Sequence, residues 1–191
     1  RLTFTVDEKP TVRRIKFDKN YVFEDEELNK FVETRTGSIL NINKINSDLQ
    51  RMRLAHTEKN YYNCKITYEV VPLENDQADI VFTIDEGNKL KVENITFEGN
   101  KHFSEGKLKK AIQTSEKGIF SFFTGSGDLN DTEVKNDAVR IESLYKNNGF
   151  IDAKVSDATI DIGEKRISIH FKIIRLHAQI LSRKVFAFQV D

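Results

Sequence analysis

Four histidines, a single cysteine and thirty carboxylates are what this 191-residue chain has for reactive chemistry. Metal ligation needs His, Cys or carboxylate side chains at spacings that a helix or hairpin brings together. His56, His102, His170 and His177 show no such spacing among themselves, and Cys64 belongs to no Cys-x-x-Cys pair. His56 reads instead as a half-buried member of a helix stripe. Gly125-Ser126-Gly127 invites comparison with phosphate loops. It lacks both the glycine spacing of a dinucleotide fingerprint and the Lys-Ser/Thr of a Walker loop, so it reads as a flexible loop ahead of a helix. Asp7-Glu8 and Asp85-Glu86 offer paired carboxylates, which acid–base work needs facing one another across a pocket with displaced pKa values. They recur here because a larger pattern recurs, at a polar linker. The expectation is therefore of no catalytic residue, no cofactor and no metal.

The larger pattern is a duplication. Val12-Arg-Arg-Ile-Lys-Phe-Asp-Lys-Asn20 matches Val92-Glu-Asn-Ile-Thr-Phe-Glu-Gly-Asn100, and Asn60-Tyr-Tyr-Asn-Cys-Lys-Ile66 matches Gly149-Phe-Ile-Asp-Ala-Lys-Val155. A repeat of this length is one small domain copied. Leu2-Thr-Phe-Thr-Val-Asp-Glu8 resembles Ile80-Val-Phe-Thr-Ile-Asp-Glu86. Residues 1–8 are therefore expected to end a preceding copy, with the chain an excerpt of a longer protein. Unit A is expected over 9–87 and unit B over 88–173, with 174–191 an unassigned tail or connector.

Each copy reads as strand, helix, helix, strand, strand. The first strand carries Ile15 and Phe17, or Ile95 and Phe97, at period two. A turn at Asp18-Lys-Asn20 and Glu98-Gly-Asn100 follows, where Gly99 can supply a positive φ and Asn tolerates one. Leu28, Phe31 and Val32, matched by Leu108, Ala111 and Ile112, form the stripe of a first helix, with Gly37 and Gly118 at a C-cap or later turn. The second helix is expected to start at Asn43, and at Asp131 or Thr132. Its stripe is Ile45, Leu49, Met52 and His56, repeated by Val134, Ala138, Ile141 and Tyr145. In the middle strand Ile66, Tyr68 and Val70 alternate with polar residues. Its counterpart at 153–162 changes phase, which predicts a β-bulge near Ser156-Asp157. Ala78, Ile80, Phe82 and Ile84 mark the last strand, as do Ile167, Ile169, Phe171 and Ile173. The fold class is α+β: tandem β-α-α-β-β modules, each a three-stranded mixed sheet covered on one face by two helices. The short polar linker Asp85-Glu-Gly-Asn-Lys-Leu-Lys91 implies limited hinge freedom between them.

Thirty basic residues balance the thirty acidic ones, so there is no net positive field to grip nucleic acid. One cysteine forms no internal disulfide, and no apolar run approaches the length of a membrane-spanning helix.

The motifs Val92-x-x-Ile95-x-Phe97-x-Gly-Asn100-x-x-Phe103-Ser-x-x-x-Leu108 and Asp137-x-x-x-Ile141-x-x-x-Tyr145-x-x-x-Gly149-Phe150-x-x-Ala153-x-Val155 resemble those of POTRA domains of the Omp85 family, in particular its outer-membrane β-barrel assembly factors. Phe82-Thr-Ile-Asp-Glu-Gly87 resembles the family's junction between units. Val6-Asp-Glu-Lys-Pro10 resembles the junction after the family's first unit, and Phe120-Ser-Phe-Phe-Thr-Gly-Ser-Gly-Asp128 the longer loop of its third, which implies that the two complete units are the second and third of about five. Repeat one departs from the pattern with Asn60 for Gly and Lys19 for the Gly before Asn, and no acidic-Gly junction follows Ile173. The resemblance implies a non-enzymatic role at the periplasmic face of the bacterial outer membrane, in protein insertion. Its implied partners are unfolded outer-membrane protein precursors, accessory assembly lipoproteins and a C-terminal membrane β-barrel absent from this chain.

A three-stranded sheet has two edges, and an unpaired edge templates an added strand with little regard to sequence. The middle strands are expected to be edges, with Lys154, Val155, Ser156, Asp157, Ala158, Thr159 and Ile160, and Lys65, Thr67 and Glu69, as client-binding positions. The plainer alternative is that these charges only keep the edge soluble. Ile119, Phe120, Phe122 and Phe123 form an apolar cluster between helices. The plainer expectation is that it folds back onto the core, and the functional one is an exposed docking patch. Other readings remain open: a two-partner secretion or TamA-like transporter, a purely structural spacer, or an enzyme with a novel site.

Overall fold

The structure is a computed structural model that describes residues 9–174, apart from the side chains of Phe122 and Phe123. Residues 1–8, His177 and the rest of the 175–191 tail lie outside the described residues. The chain divides into two units, with the division after Leu90.

The first unit runs β1 (Thr11–Asp18), α1 (Asp25–Phe31), α2 (Ile42–Glu58), β2 (Lys65–Leu73) and β3 (Gln77–Asp85). Its sheet order is β1-β3-β2, with β1 parallel and β2 antiparallel to the central β3. The second unit runs β4 (Val92–Glu98), α3 (Glu105–Ala111), α4 (Ser121–Thr124), α5 (Asp131–Asn147), β5 (Lys154–Val155), β6 (Thr159–Ile162) and β7 (Ile167–Ile174). Here β7 is central, parallel to β4 and antiparallel to both β5 and β6. Ile174, assigned from sequence to the tail, is the last residue of β7 and pairs with Lys154. The segments β5 and β6 are one edge strand broken by a bulge. The Ser156 N–H bonds the Lys172 carbonyl, and pairing resumes with Thr159 opposite His170. Asp157 and Ala158 therefore oppose Phe171 alone, which accounts for the change of phase in the sequence.

Period-two alternation sends Ala78, Ile80, Phe82 and Ile84 to the helix-covered face, where they are buried with Ile45, Leu49 and Met52 of α2. Ile167, Ile169, Phe171 and Ile173 do the same under Val134, Ala138 and Ile141. Phe17 stacks on Phe82 with ring centroids 5.6 Å apart, and Phe97 on Phe171 at 5.7 Å. In domains this small, such ring pairs supply a large share of the buried apolar area.

The helices begin earlier than the sequence suggested. Asn41, not Asn43, caps α2, its side chain accepting from the Asn43 and Lys44 N–H groups. Asn130, not Asp131 or Thr132, caps α5 through the Glu133 N–H. In each case the side chain one position before the helix reaches the free amides of its first turn. The first helices end at Phe31 and Ala111 and pass into extended Val32 and Ile112, so Gly37 and Gly118 cap neither.

One polar device recurs and was not foreseen. Asp48 in α2 is fully buried and accepts from the Glu33 N–H at 2.7 Å, the Thr34 N–H at 3.1 Å and the Thr34 hydroxyl. Asp137 in α5 is buried likewise and accepts from the Gln113 and Thr114 N–H groups, at 2.8 and 2.9 Å. Arg51 and Arg140, one turn on, pair with these carboxylates. The chain leaving each first helix is thus tied to the second. Replacing Asp137 by Ala orphans two amides, leaves Arg140 with Glu133 alone, and is expected to destabilise the second unit by about 3 kcal/mol, read from its denaturant midpoint.

The turn after the first strand differs between the units. Its left-handed residue is Lys19 (φ 63) in one and Gly99 (φ 78) in the other, not the Asn beside them. A Cβ on Gly99 would lie 2.4 Å from the Ile173 carbonyl oxygen. Lys19→Gly is expected to stabilise the first unit by about 1 kcal/mol by relieving backbone strain. Gly99→Ala should destabilise the second by more than that, as thermal denaturation of the two variants would show.

Candidate sheet-edge interface

Which backbone groups face outward follows from parity. In β2 the register with β3 is unbroken from Lys65 to Leu73. Pro72 has no N–H, so its backbone faces away from β3. Val70, Tyr68 and Ile66 share that parity, and the Ile66 carbonyl accordingly accepts from Arg53 Nη2 of α2 at 2.9 Å instead of from β3. In the second unit the hairpin closes with the Gly163 N–H on the Arg166 carbonyl. Counting back through the β6 register, Ile162 and Ile160 direct their backbone groups outward. Past the bulge the outward Val155 N–H bonds Glu142 Oε1 of α5 at 3.0 Å. Beyond these two side-chain contacts, no segment among the described residues pairs with the outer border of β2 or β6.

The opposite borders are treated differently. Along the start of β1, Val12 exchanges backbone hydrogen bonds with Gly37 and Ser38, and Leu40 bonds the Pro10 carbonyl. Along the start of β4, Val92 bonds Lys117 and Gly127, and Glu116 accepts from the Ile95 N–H. Gly127 is required there, because a Cβ would meet the Lys117 backbone at 3.0 Å.

The expected edge positions divide within this frame. Lys65, Thr67 and Glu69 point their backbone toward β3 and their side chains to the face away from the helices. Lys154 and Val155 form the short β5, Ser156 bonds β7, and Asp157 and Ala158 form the bulge. Thr159 faces β7, while Ile160 faces out. Tyr68, Val70 and Ile162 carry outward groups that the side-chain pattern had not singled out. Of the apolar cluster, Ile119 and Phe120 do not fold back, while the side chains of Phe122 and Phe123 lie outside the described structure. Ile119 is 96% exposed and Phe120 69%, at the start of the one-turn α4, with Ser121 buried beneath.

His56 is wholly buried, with Nδ1 bonded to the Met52 carbonyl and Nε2 3.9 Å from Glu86. Glu86 accepts from the Tyr21 and Val22 N–H groups at 2.6 Å and lines an open cavity of about 460 Å³ with Lys19, Tyr21 and residues 83–88. In the second unit Tyr145 takes the place of His56, and its hydroxyl donates to Asn100 at 2.6 Å. His102 packs on Phe150, and His170 Nδ1 meets the Thr96 hydroxyl. Burial, then the charge of Glu86, pushes the Cys64 thiol up to about 11.

The family profile described as a surface antigen variable number repeat, POTRA, matches residues 10–87 and 90–174. The chain belongs to the POTRA family. Its POTRA units are 31% identical over 173 residues to the outer membrane protein assembly factor BamA of Nitratidesulfovibrio vulgaris, covering 90% of this chain and 22% of that protein. They are 27% identical to BamA of Neisseria meningitidis serogroup B, covering 91% and 22%. The chain thus spans about a fifth of the length of these curated relatives. Among solved structures it is similar to Haemophilus influenzae BamA POTRA3-5, with TM-score 0.48 and 16% identity over 86% of this chain and 61% of that one.

The Glu142 contact gives the second POTRA unit a pH-dependent border. Burial alone raises this carboxyl. The Val155 N–H, the Lys146 ammonium and the Lys154 charge outweigh it and hold Glu142 below the ordinary value of 4.5. A depressed carboxyl stabilises the fold above its unfolded value, and the contribution disappears as pH falls through the folded one. The Val155 amide resonance is therefore expected to stay unchanged down through pH 4.5 and to shift only below it, and Glu142→Gln should flatten that titration.

Proposed function

We propose that these POTRA units are periplasmic protein-interaction modules of an outer-membrane β-barrel assembly factor. They hold unfolded outer-membrane protein precursors by strand addition at the outer borders of β2 and β6. Accessory lipoproteins are their docking partners, with Ile119 and Phe120 offering the apolar contact, and the chain's own membrane barrel follows them in the full-length protein. The reading places them at the periplasmic face of the outer membrane. Kinship to the two BamA proteins supports the setting.

The observation that carries the reading is the asymmetry of the sheets: one border meets the unit's own loops at its start, whereas the other, among the described residues, ends in outward backbone at Tyr68, Val70, Ile160 and Ile162. Strand addition draws its affinity from main-chain hydrogen bonds. That suits a handler of many clients whose only shared feature is an extended, alternating chain. Titrating the isotope-labelled 191-residue chain with an extended peptide taken from a barrel strand should shift the amides of those four residues. The same peptide N-methylated on its bonding edge should leave them still. A spacer without client binding would show no response to either.

A further inference from the structure

We infer that Arg53 and Glu142 are register stops: each occupies the first outward backbone group of its edge and so fixes where an added strand can begin. The inference rests on the strand-addition reading above and specifies its register. Arg53 and Glu142 hold the same slot, each seven residues before the aligned Asn60 and Gly149. Each follows the buried stripe residue Met52 or Ile141, so its side chain leaves the helix sideways, toward the border of the sheet. Their targets are also equivalent, since Ile66 and Val155 align in the repeat.

The polarity of the contact is reversed between the units. Arg53 donates to the Ile66 carbonyl at 2.9 Å, whereas Glu142 accepts from the Val155 N–H at 3.0 Å. Opposite charges in one slot satisfy opposite backbone groups of one residue position, so what the two units share is occupancy of that position and not a particular side chain. An amide has a single proton to give. With Val155 committed, a strand added to the second unit pairs beyond the bulge, at Ile160 and Ile162. Glu142 is held in place by Lys146 at 3.0 Å through its other oxygen, with Lys154 at 3.8 Å. In the first unit Arg53 closes the start, and Pro72, with no N–H, limits the far end. Tyr68 and Val70 are left between them. Each edge therefore accepts a segment of about five residues, two of whose backbones face it fully.

The test uses the 191-residue chain and the same barrel-strand peptide, read by amide shifts and hydrogen exchange. In the wild type the peptide should leave the Ile66 and Val155 amides unchanged. In Glu142→Ala the Val155 amide should exchange freely without peptide and become protected with it. Arg53→Ala should bring the Ile66 amide into the footprint. Each should tighten peptide binding by about fivefold, the worth of one net backbone hydrogen bond. Glu142→Gln, which keeps an acceptor, should behave as wild type. If the peptide binds but the footprints stay at Tyr68–Val70 and Ile160–Ile162 in the alanine variants, or binding weakens, the stops are not stops. If it binds neither wild type nor variants, the strand-addition reading itself is overturned, and this inference with it.

Discussion

A three-stranded sheet leaves two rows of N–H and C=O groups without a strand beside them, and a buried or half-buried backbone group without a partner is costly. How each unit disposes of those rows organises the rest of the molecule. Two helices fit over one face of the sheet, and the connection between them has to cross the border of the first strand on its way to the second helix. That crossing supplies Gly37, Ser38 and Leu40 to β1, and Lys117 and Gly127 to β4. The last strand is central and sealed on both sides. Among the described residues no connection passes beside the middle strand, which receives one helix side chain instead. Topology therefore lets a unit's own loops meet the start of one border and leaves the other, among the described residues, to solvent or to another chain.

The two units reach this outcome with different residues. The loop after the first strand is pinned from outside by Glu86 in one unit. In the other Asn100 pins it, accepting from His102, Phe103 and the Tyr145 hydroxyl. The slot facing that loop holds His56 or Tyr145, and the left-handed turn uses Lys19 or Gly99. What repeats is the requirement that a loop amide or an outward carbonyl be met. The buried aspartates are the exception. Asp48 and Asp137 are identical because two amides converging from one direction need an acceptor with two oxygens at a fixed distance from the helix.

Where chemistry was preserved between copies, the sequence was readable. The apolar stripes of α2 and α5, the alternation in β3 and β7 and the bulge ahead of β6 all follow from side-chain periodicity, which reports burial directly. The helix starts were displaced because several capping residues lie in a row and only backbone geometry chooses among them. Asp48 and Asp137 were missed because a carboxylate beside an apolar stripe looks like a solvated face until its amide partners are known. Arg53 and Glu142 were invisible for a stronger reason: comparing the copies puts a cation against an anion, the usual mark of an unconstrained surface position. The outward residues of the edge were missed because backbone parity, unlike side-chain parity, is fixed by the partner strand. Pro72 was the one residue whose identity announced it.

Cys64 carries a last implication. Thiols exchange and oxidise through the thiolate. With burial and a neighbouring carboxylate pushing it up to about 11, only about one molecule in ten thousand carries the reactive form at neutral pH. A solitary sulfur so placed keeps its proton and takes little part in disulfide traffic, whatever thiols come near it.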